Sequence, residues 1–263
     1  MNYAKIQNTT LIAYPYTFGD FVKDNNNTSY PAGVDWVALF PETAAAMGGY
    51  ALASVEPVQR PSYDSTTQIC TEGTPVLVNG SWEQTWAVSD LPLATAQNNK
   101  TKQIQQAYGI ATDYVPVTIN GTDYQVDNTA GKQALNLSLA ITANGVAQSP
   151  AWTASTAYTA GVSLCNVGGV ILFCSASGKS GSSAPTPPAA FGTPVTDGTA
   201  TWELMGRKVY LQNGSFVLMT PQQILSAFQQ GELYLHQTSN RLESLLAQIN
   251  AATTVSAVQA VVW

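Results

Sequence analysis

Along this chain the spacing of apolar residues switches repeatedly between a period of two and a helical period, and turn residues mark the switches. Three Asn-Gly pairs sit between alternating segments. They are Asn79-Gly80 within Val76–Trp82, Asn120-Gly121 within Val117–Val126, and Asn213-Gly214 within Val209–Leu218. Asn-Gly between strand formers is a strong hairpin signal, because both residues tolerate positive φ. Thr85, Trp86 and Val88 would continue the strand returning through Trp82. A further hairpin is expected to fold at Asn8 and Thr9, between Ala4 and Tyr14. Tyr16 to Phe21 predicts a helical turn ended by the polar run Asp24–Ser29, and Pro61-Ser62-Tyr63-Asp64 is turn chemistry. Leu91 to Tyr108 predicts a short connecting helix, polar on most faces. Asn128 or Thr129 then caps a helix with an apolar stripe at Leu135 and Leu139 and a stop at Asn144-Gly145.

The longest helical signal follows Thr220-Pro221-Gln222-Gln223, a capping box with proline at the first helical position. Beyond it Ile224, Phe228, Gly231, Leu235, Thr238, Leu242, Leu245 and Ile249 recur in strict 4-3 alternation, and six of the eight are apolar. That spacing predicts a packing or interface seam, either coiled-coil-like or lying on a hairpin core. Glycine costs about 1 kcal/mol against alanine inside a helix, so a kink or a close approach is expected at Gly231. Thr253 or Thr254 caps a last short helix carrying Val255, Val258 and Val262.

Between residues 150 and 206 this rhythm is interrupted and then resumes. The intervening run reads Trp152-x5-Tyr158-x2-Gly161, then Ser177-Gly178-Lys179-Ser180-Gly181, Pro185, and Thr196-Asp197-Gly198-Thr199-Ala200-Thr201-Trp202. Glycines at turns and aromatics at intervals predict a small all-β cassette set into another domain. Ser149-Pro150 and Gly206 flank it as turn residues. The expected fold class is α+β. A β-rich domain spans 1–92, a connecting helix and linker 93–115, and a hairpin-plus-long-helix domain 116–149 and 207–263, interrupted by the module at 150–206.

Charged residues are only 10 % of the 263, against roughly 25 % in an average soluble protein. A surface this poor in charge has little colloidal protection, which fits a protein that ends in an assembly. The net charge of −6 comes with no basic cluster, so no nucleic-acid footprint is expected. No run approaches the roughly 18 apolar residues of a membrane span. Met1-Asn2-Tyr3-Ala4-Lys5 lacks the apolar core of a signal peptide. Synthesis in a cytoplasm, with no membrane insertion, is therefore expected.

The order of elements in 117–149 and 207–260 resembles a domain of unknown function found in phage tail and tail-fibre-associated proteins. Its closing motif is matched by Ile249-Asn250-Ala251-Ala252-Thr253-Thr254. The insertion resembles small carbohydrate-binding modules of tail fibres and tailspikes, through Trp152, Tyr158, Gly161, Gly178, Ser180, Gly181, Pro185, Asp197, Gly198 and Trp202. Where such modules carry an exposed tyrosine, this chain has Leu172 and Phe173. The N-terminal part is similar to a short domain at the start of tailed-phage structural proteins. The residues are Ala13-Tyr14-Pro15-Tyr16, Asp24-Asn25-Asn26, Ser29-Tyr30-Pro31 and Gly80-Ser81-Trp82-x3-Trp86.

These resemblances imply a structural, non-enzymatic component of a bacteriophage tail, at the fibre or baseplate. It would dock on another tail protein, aid fibre assembly, and be present in several copies or as a homo-oligomer. Its place would be the virion tail, after assembly in the host cytoplasm. The alternative they imply is a receptor-binding adhesin whose module takes host surface glycan at Trp152, Tyr158 and Trp202. Aromatic faces stack on sugar rings, but in so small a module the same three rings also suit a core.

Little else in the chain reads as chemistry. His236 has Glu232 one turn earlier and no further ligand, so no metal or cofactor is expected. Gly178-Lys179-Ser180-Gly181 lacks the upstream glycine of a phosphate loop and reads as a β-turn. Asp123 with Asp127 is a carboxylate pair that nothing marks as a hydrolytic site. Cys70, Cys165 and Cys174 form no zinc spacing. Cys165 and Cys174 either face each other across a hairpin or sit as small buried apolar residues.

Overall fold

A computed structural model of the chain describes residues 3–47 and 50–263 and shows an α+β fold. It divides into two compact units: residues up to Lys100 with Ala252–Ala260, and Thr101–Ala251 with Val261–Trp263.

In the first unit β1 (Tyr3–Gln7) and β2 (Thr10–Tyr16) form the hairpin expected at Asn8, which has φ 58°. Helix α1 (Phe18–Asp24) follows, capped by a Thr17/Asp20 box, then α2 (Trp36–Met47) and β3 (Ala51–Glu56). The long hairpin β4 (Gln68–Val78) and β5 (Ser81–Asp90) turns at Asn79 and Gly80, both at positive φ. These strands make one sheet in the order β2-β1-β3-β5-β4, with β3 and β5 parallel. Strand alternation sorts β1 between two cores. Ala4 and Ile6 pack with Val55, Leu11 and Trp82, while Tyr3 meets an aromatic group of Tyr16, Phe18, Phe21, Tyr30 and Phe40.

The second unit holds most of α3 (Leu93–Asp113), which runs five residues beyond the expected Tyr108. Hairpin β6 (Tyr114–Ile119) and β7 (Thr122–Asp127) turns at Asn120-Gly121, both at positive φ, as its sequence dictates. Helix α4 (Ala130–Ala147) starts at Thr129, whose hydroxyl bonds to Asp127 rather than capping the helix. It does not stop at Asn144-Gly145, and its buried residues are Ala140 and Ala143; of the expected stripe Leu139 packs against the main core and Leu135 is exposed. Two alanines form the contact because α4 lies close against the long helix, where a small side chain fits.

The module follows, with strands β8 (Ala157–Tyr158), β9 (Leu164–Val167), β10 (Val170–Ala176), β11 (Gly178–Lys179), β12 (Val195–Asp197) and β13 (Ala200–Leu204). Its main sheet, β12-β13-β10-β9, shares no strand with any other. Gly178-Lys179 is not a turn but a two-residue strand paired with Ala157-Tyr158. The chain enters beside Asn166 at Ala151 and leaves at Met205, whose N–H donates to Ile171. Asn166 and Ile171 are themselves paired, so both ends of the module lie at one edge of the pleat, three strand spacings or roughly 14 Å apart.

β14 (Arg207–Tyr210) and β15 (Phe216–Met219) resume the host. The hairpin expected around Asn213-Gly214 is present, with a different turn. Only Gly214 has positive φ, and the loop has five residues, with Asn213 accepting from Ser215 N–H in an Asx turn. Helix α5 (Pro221–Ala251) then runs unbroken past Gly231. Thr220 and Gln223 make the reciprocal capping bonds, at 2.8 and 3.3 Å. α6 (Val255–Gln259) is capped by Thr254 at Ala257 N–H and buries Val258, while Val262 lies beyond it and is exposed.

The α5 seam is used throughout within this chain. Ile224 joins Val115, Val117, Ile119, Val126, Val209 and Met219 in the main core, and Leu235 packs against it. Gly231 is the close approach rather than a kink, since a Cβ there would lie 3.2 Å from Val115 Cγ1. Leu242, Leu245 and Ile249 close on Ile104, Val261 and Trp263. Truncating Leu245 to alanine should therefore cost about 2–4 kcal/mol. Overfilling the approach with Gly231→Leu should cost about 1–3 kcal/mol. Urea unfolding measures both, and a loss under about 0.5 kcal/mol at Leu245 would show the lower seam to be idle.

Candidate functional site in the small β module

The module's core is Cys165, Leu172, Cys174, Ala200 and Trp202, all without solvent exposure. Trp202 is thus corrected from a sugar-stacking candidate to a core residue. It lies on β13 opposite Cys174, and Tyr158 meets its ring edge-on at 4.7 Å. Leu172, expected at the binding surface in place of a tyrosine, is likewise turned inward, and Phe173 is half-buried. Cys165 and Cys174 take the buried-residue alternative as free thiols. Burial pushes the Cys165 thiol up to about 12 and raises Cys174 too, so both stay protonated.

One carboxylate organises the rest. Asp197, 5 % exposed, accepts from Trp152 Nε1 at 2.7 Å and from Trp202 Nε1 at 3.2 Å through Oδ2. Its Oδ1 accepts from the Gly181 N–H at 2.7 Å. A buried carboxyl group is tolerated where donors replace its hydration, and here two indoles and a backbone amide do so. Ser180, also buried, donates to the Thr153 carbonyl at 2.7 Å and accepts from Thr156 N–H at 2.9 Å. The glycines are there for room: a Cβ on Gly178 would lie 2.1 Å from the Thr199 carbonyl oxygen. On Gly198, at φ 64°, it would lie 2.3 Å from that of Lys179.

Trp152 and Tyr158 are half-buried and already engaged, Trp152 by Asp197 and Tyr158 by the Thr153 N–H, which its hydroxyl accepts at 3.0 Å. The pattern Trp…Ser-Gly…Asp-Gly…Trp therefore builds the module. It leaves two partly accessible rings and no third aromatic face of the expected set. The role of Asp197 was not legible in sequence, where Asp-Gly reads as turn chemistry and Trp152 stands 45 residues away.

The seam residues divide between core and groove. Ile224 and Ile249 are buried, Leu245 nearly so, and Phe228 and Leu235 line an apolar groove of about 530 Å³ between α4 and α5. His236 shares a hydrogen bond with Asn240, at 3.2 Å, on an exposed stretch of α5. Asp123 and Asp127 each accept from a neighbouring threonine hydroxyl, Thr118 and Thr129, at 2.7 Å. Among the described residues no group of three or more His, Cys, Asp or Glu is placed to hold a metal ion. No described helix is long and apolar enough to cross a membrane. No protein-family model, curated protein or solved structure matches this chain.

If Asp197 is the organising acceptor, Asp197→Ala should destabilise the module by at least about 2 kcal/mol, because a buried indole N–H is left unsatisfied. Trp152→Phe should cost about 1 kcal/mol by loss of one bond. Thermal melting followed by tryptophan fluorescence reads both, and unchanged melting of Asp197→Ala would refute the arrangement.

Proposed function

We propose that this protein is a structural, non-enzymatic component of a bacteriophage tail, associated with the fibre or baseplate. It docks on another tail protein and aids fibre assembly. The observation that carries this reading is a surface with few charges and many large apolar residues. Ile110, Leu137, Ile141 and Leu233 are each more than half exposed within the second unit, in a chain with only 10 % charged residues. Isolated exposed apolar residues are ordinary. Several of them on a surface poor in charge suit a protein that covers them in an assembly. The residue patterns shared with tail proteins point the same way.

The adhesin alternative draws less support. Of its three aromatic candidates Trp202 is enclosed, and the other two are committed to internal hydrogen bonds. A module whose ends share one edge can be carried as an insertion without disturbing the host hairpins.

Purified particles of the phage encoding this chain provide the test. Mass spectrometry of virions, and of tail fibres captured from infected cells, should find its peptides in at least one, at a fixed ratio to a fibre or baseplate protein. Absence from both would overturn the proposal.

A further inference from the structure

The five-stranded sheet of the first unit has two edges, and both open onto the same cleft. β2 has one sheet partner, β1, and β4 has one, β5. Yet Leu11 to Tyr16 of β2 and Glu72 to Thr74 of β4 line a single opening of about 980 Å³. The sheet curls until its outermost strands face each other without pairing. One side-chain hydrogen bond bridges them, from the Tyr14 hydroxyl to the Glu72 carboxylate, 58 residues apart in sequence.

An edge strand presents a row of outward N–H and C=O groups, and the ligand matching that alternation is another extended backbone. Here two such edges confront one space, so a single added strand could pair on both sides. The edges are short. Pro15 and Pro75 sit on the two edge strands, where a missing N–H interrupts no existing ladder. They confine new pairing to the stretch before Pro15 and to Glu72–Thr74, where the Thr74 carbonyl already accepts from the Thr85 hydroxyl, so the site suits an extended segment of about three or four residues at roughly 3.3 Å each.

The cleft also selects side chains. Ile12 is half exposed between the half-buried Leu11 and Ala13, an apolar contact open to a visitor. Three carboxylates line the opening. Asp24 is paired with Lys5 at 2.6 Å and Asp20 with Lys23 at 3.6 Å, but Glu72 makes no ion pair among the described residues. Hydrogen bonds from Tyr14 and from Gln84 Nε2 hold the Glu72 carboxyl below the usual range, so it is charged at neutral pH.

We propose that this cleft binds a short extended segment of another protein as an added β-strand between β2 and β4, with an apolar side chain against Ile12 and a lysine or arginine against Glu72. The inference does not rest on the tail reading, because it is tested on the full-length protein alone.

The first probe is a fluorescein-labelled heptapeptide alternating valine and lysine, titrated by anisotropy. A random heptapeptide display library selected on the protein is the second. Binding should weaken at least about tenfold when alternate peptide nitrogens are methylated, and about three- to tenfold in Glu72→Gln, which keeps the acceptor but loses the charge. Hydrogen exchange should slow at residues 11–14 and 72–74 when peptide is bound. Three results would overturn the proposal. One is no binder from either probe at about 1 mM. Another is equal binding of the methylated peptide, or protection confined to other segments. The last is a homodimer in which these amides are already protected, which would make a second copy the occupant.

Discussion

The seam of α5 is the constraint on which the second unit depends. One face of a 31-residue helix must supply the lid of a two-hairpin core and then, lower down, a separate contact with Ile104, Val261 and Trp263. The β6–β7 and β14–β15 hairpins are two-stranded, and a two-stranded ribbon is marginal in water by itself. They become stable by burying Val115, Val117, Val126, Val209 and Met219 beneath Ile224 and Ala227. At Gly231 the helix backbone comes close to Val115, which explains why a poor helix former is tolerated in mid-helix. Because the host closes through α5, residues between α4 and β14 can leave and return without breaking it.

In the module, the residues that sequence analysis singled out hold the fold together. Asp197 receives Trp152, Trp202 and Gly181, Ser180 ties the Thr153 carbonyl to the Thr156 amide, and Gly178 and Gly198 give room to carbonyl oxygens. A sequence pattern records what a fold needs as readily as what a ligand needs. In a domain with a core of five residues the fold's needs come first.

Much of the fold was legible because its signals are local. The turns at Asn79-Gly80 and Asn120-Gly121 need only the two residues that tolerate positive φ. Thr220 and Gln223 announce α5 within four residues, and the 4-3 spacing names the face that packs. What was missed is either non-local or chemically quiet. The buried face of α4 is Ala140 and Ala143, which a hydrophobic stripe of leucines conceals. At Asn213-Gly214 the hairpin was legible but its five-residue loop, shaped by the Asx turn of Asn213 with Ser215, was not. Helix α2 and the parallel pairing of β3 with β5 have no local signature. Of the candidate site, the aromatics were visible, but their direction was not. Trp202 and Leu172 face inward because β10 and β13 pair in a register that no short-range pattern specifies. The cleft between β2 and β4 was invisible for the same reason, since Tyr14 and Glu72 meet only through the curl of the whole sheet.

The claim that α5 acts as one continuous packing element is tested most directly by native-state hydrogen exchange along it. Amides near Ile224, Gly231, Thr238, Leu245 and Ile249 should exchange as a single slow class, through the same opening that releases β6 and β14, because one cooperative unit opens as a whole. Rapid exchange from Gly231 onward, with only the first turns protected, would contradict the account and make the lower seam a separate, weakly held segment.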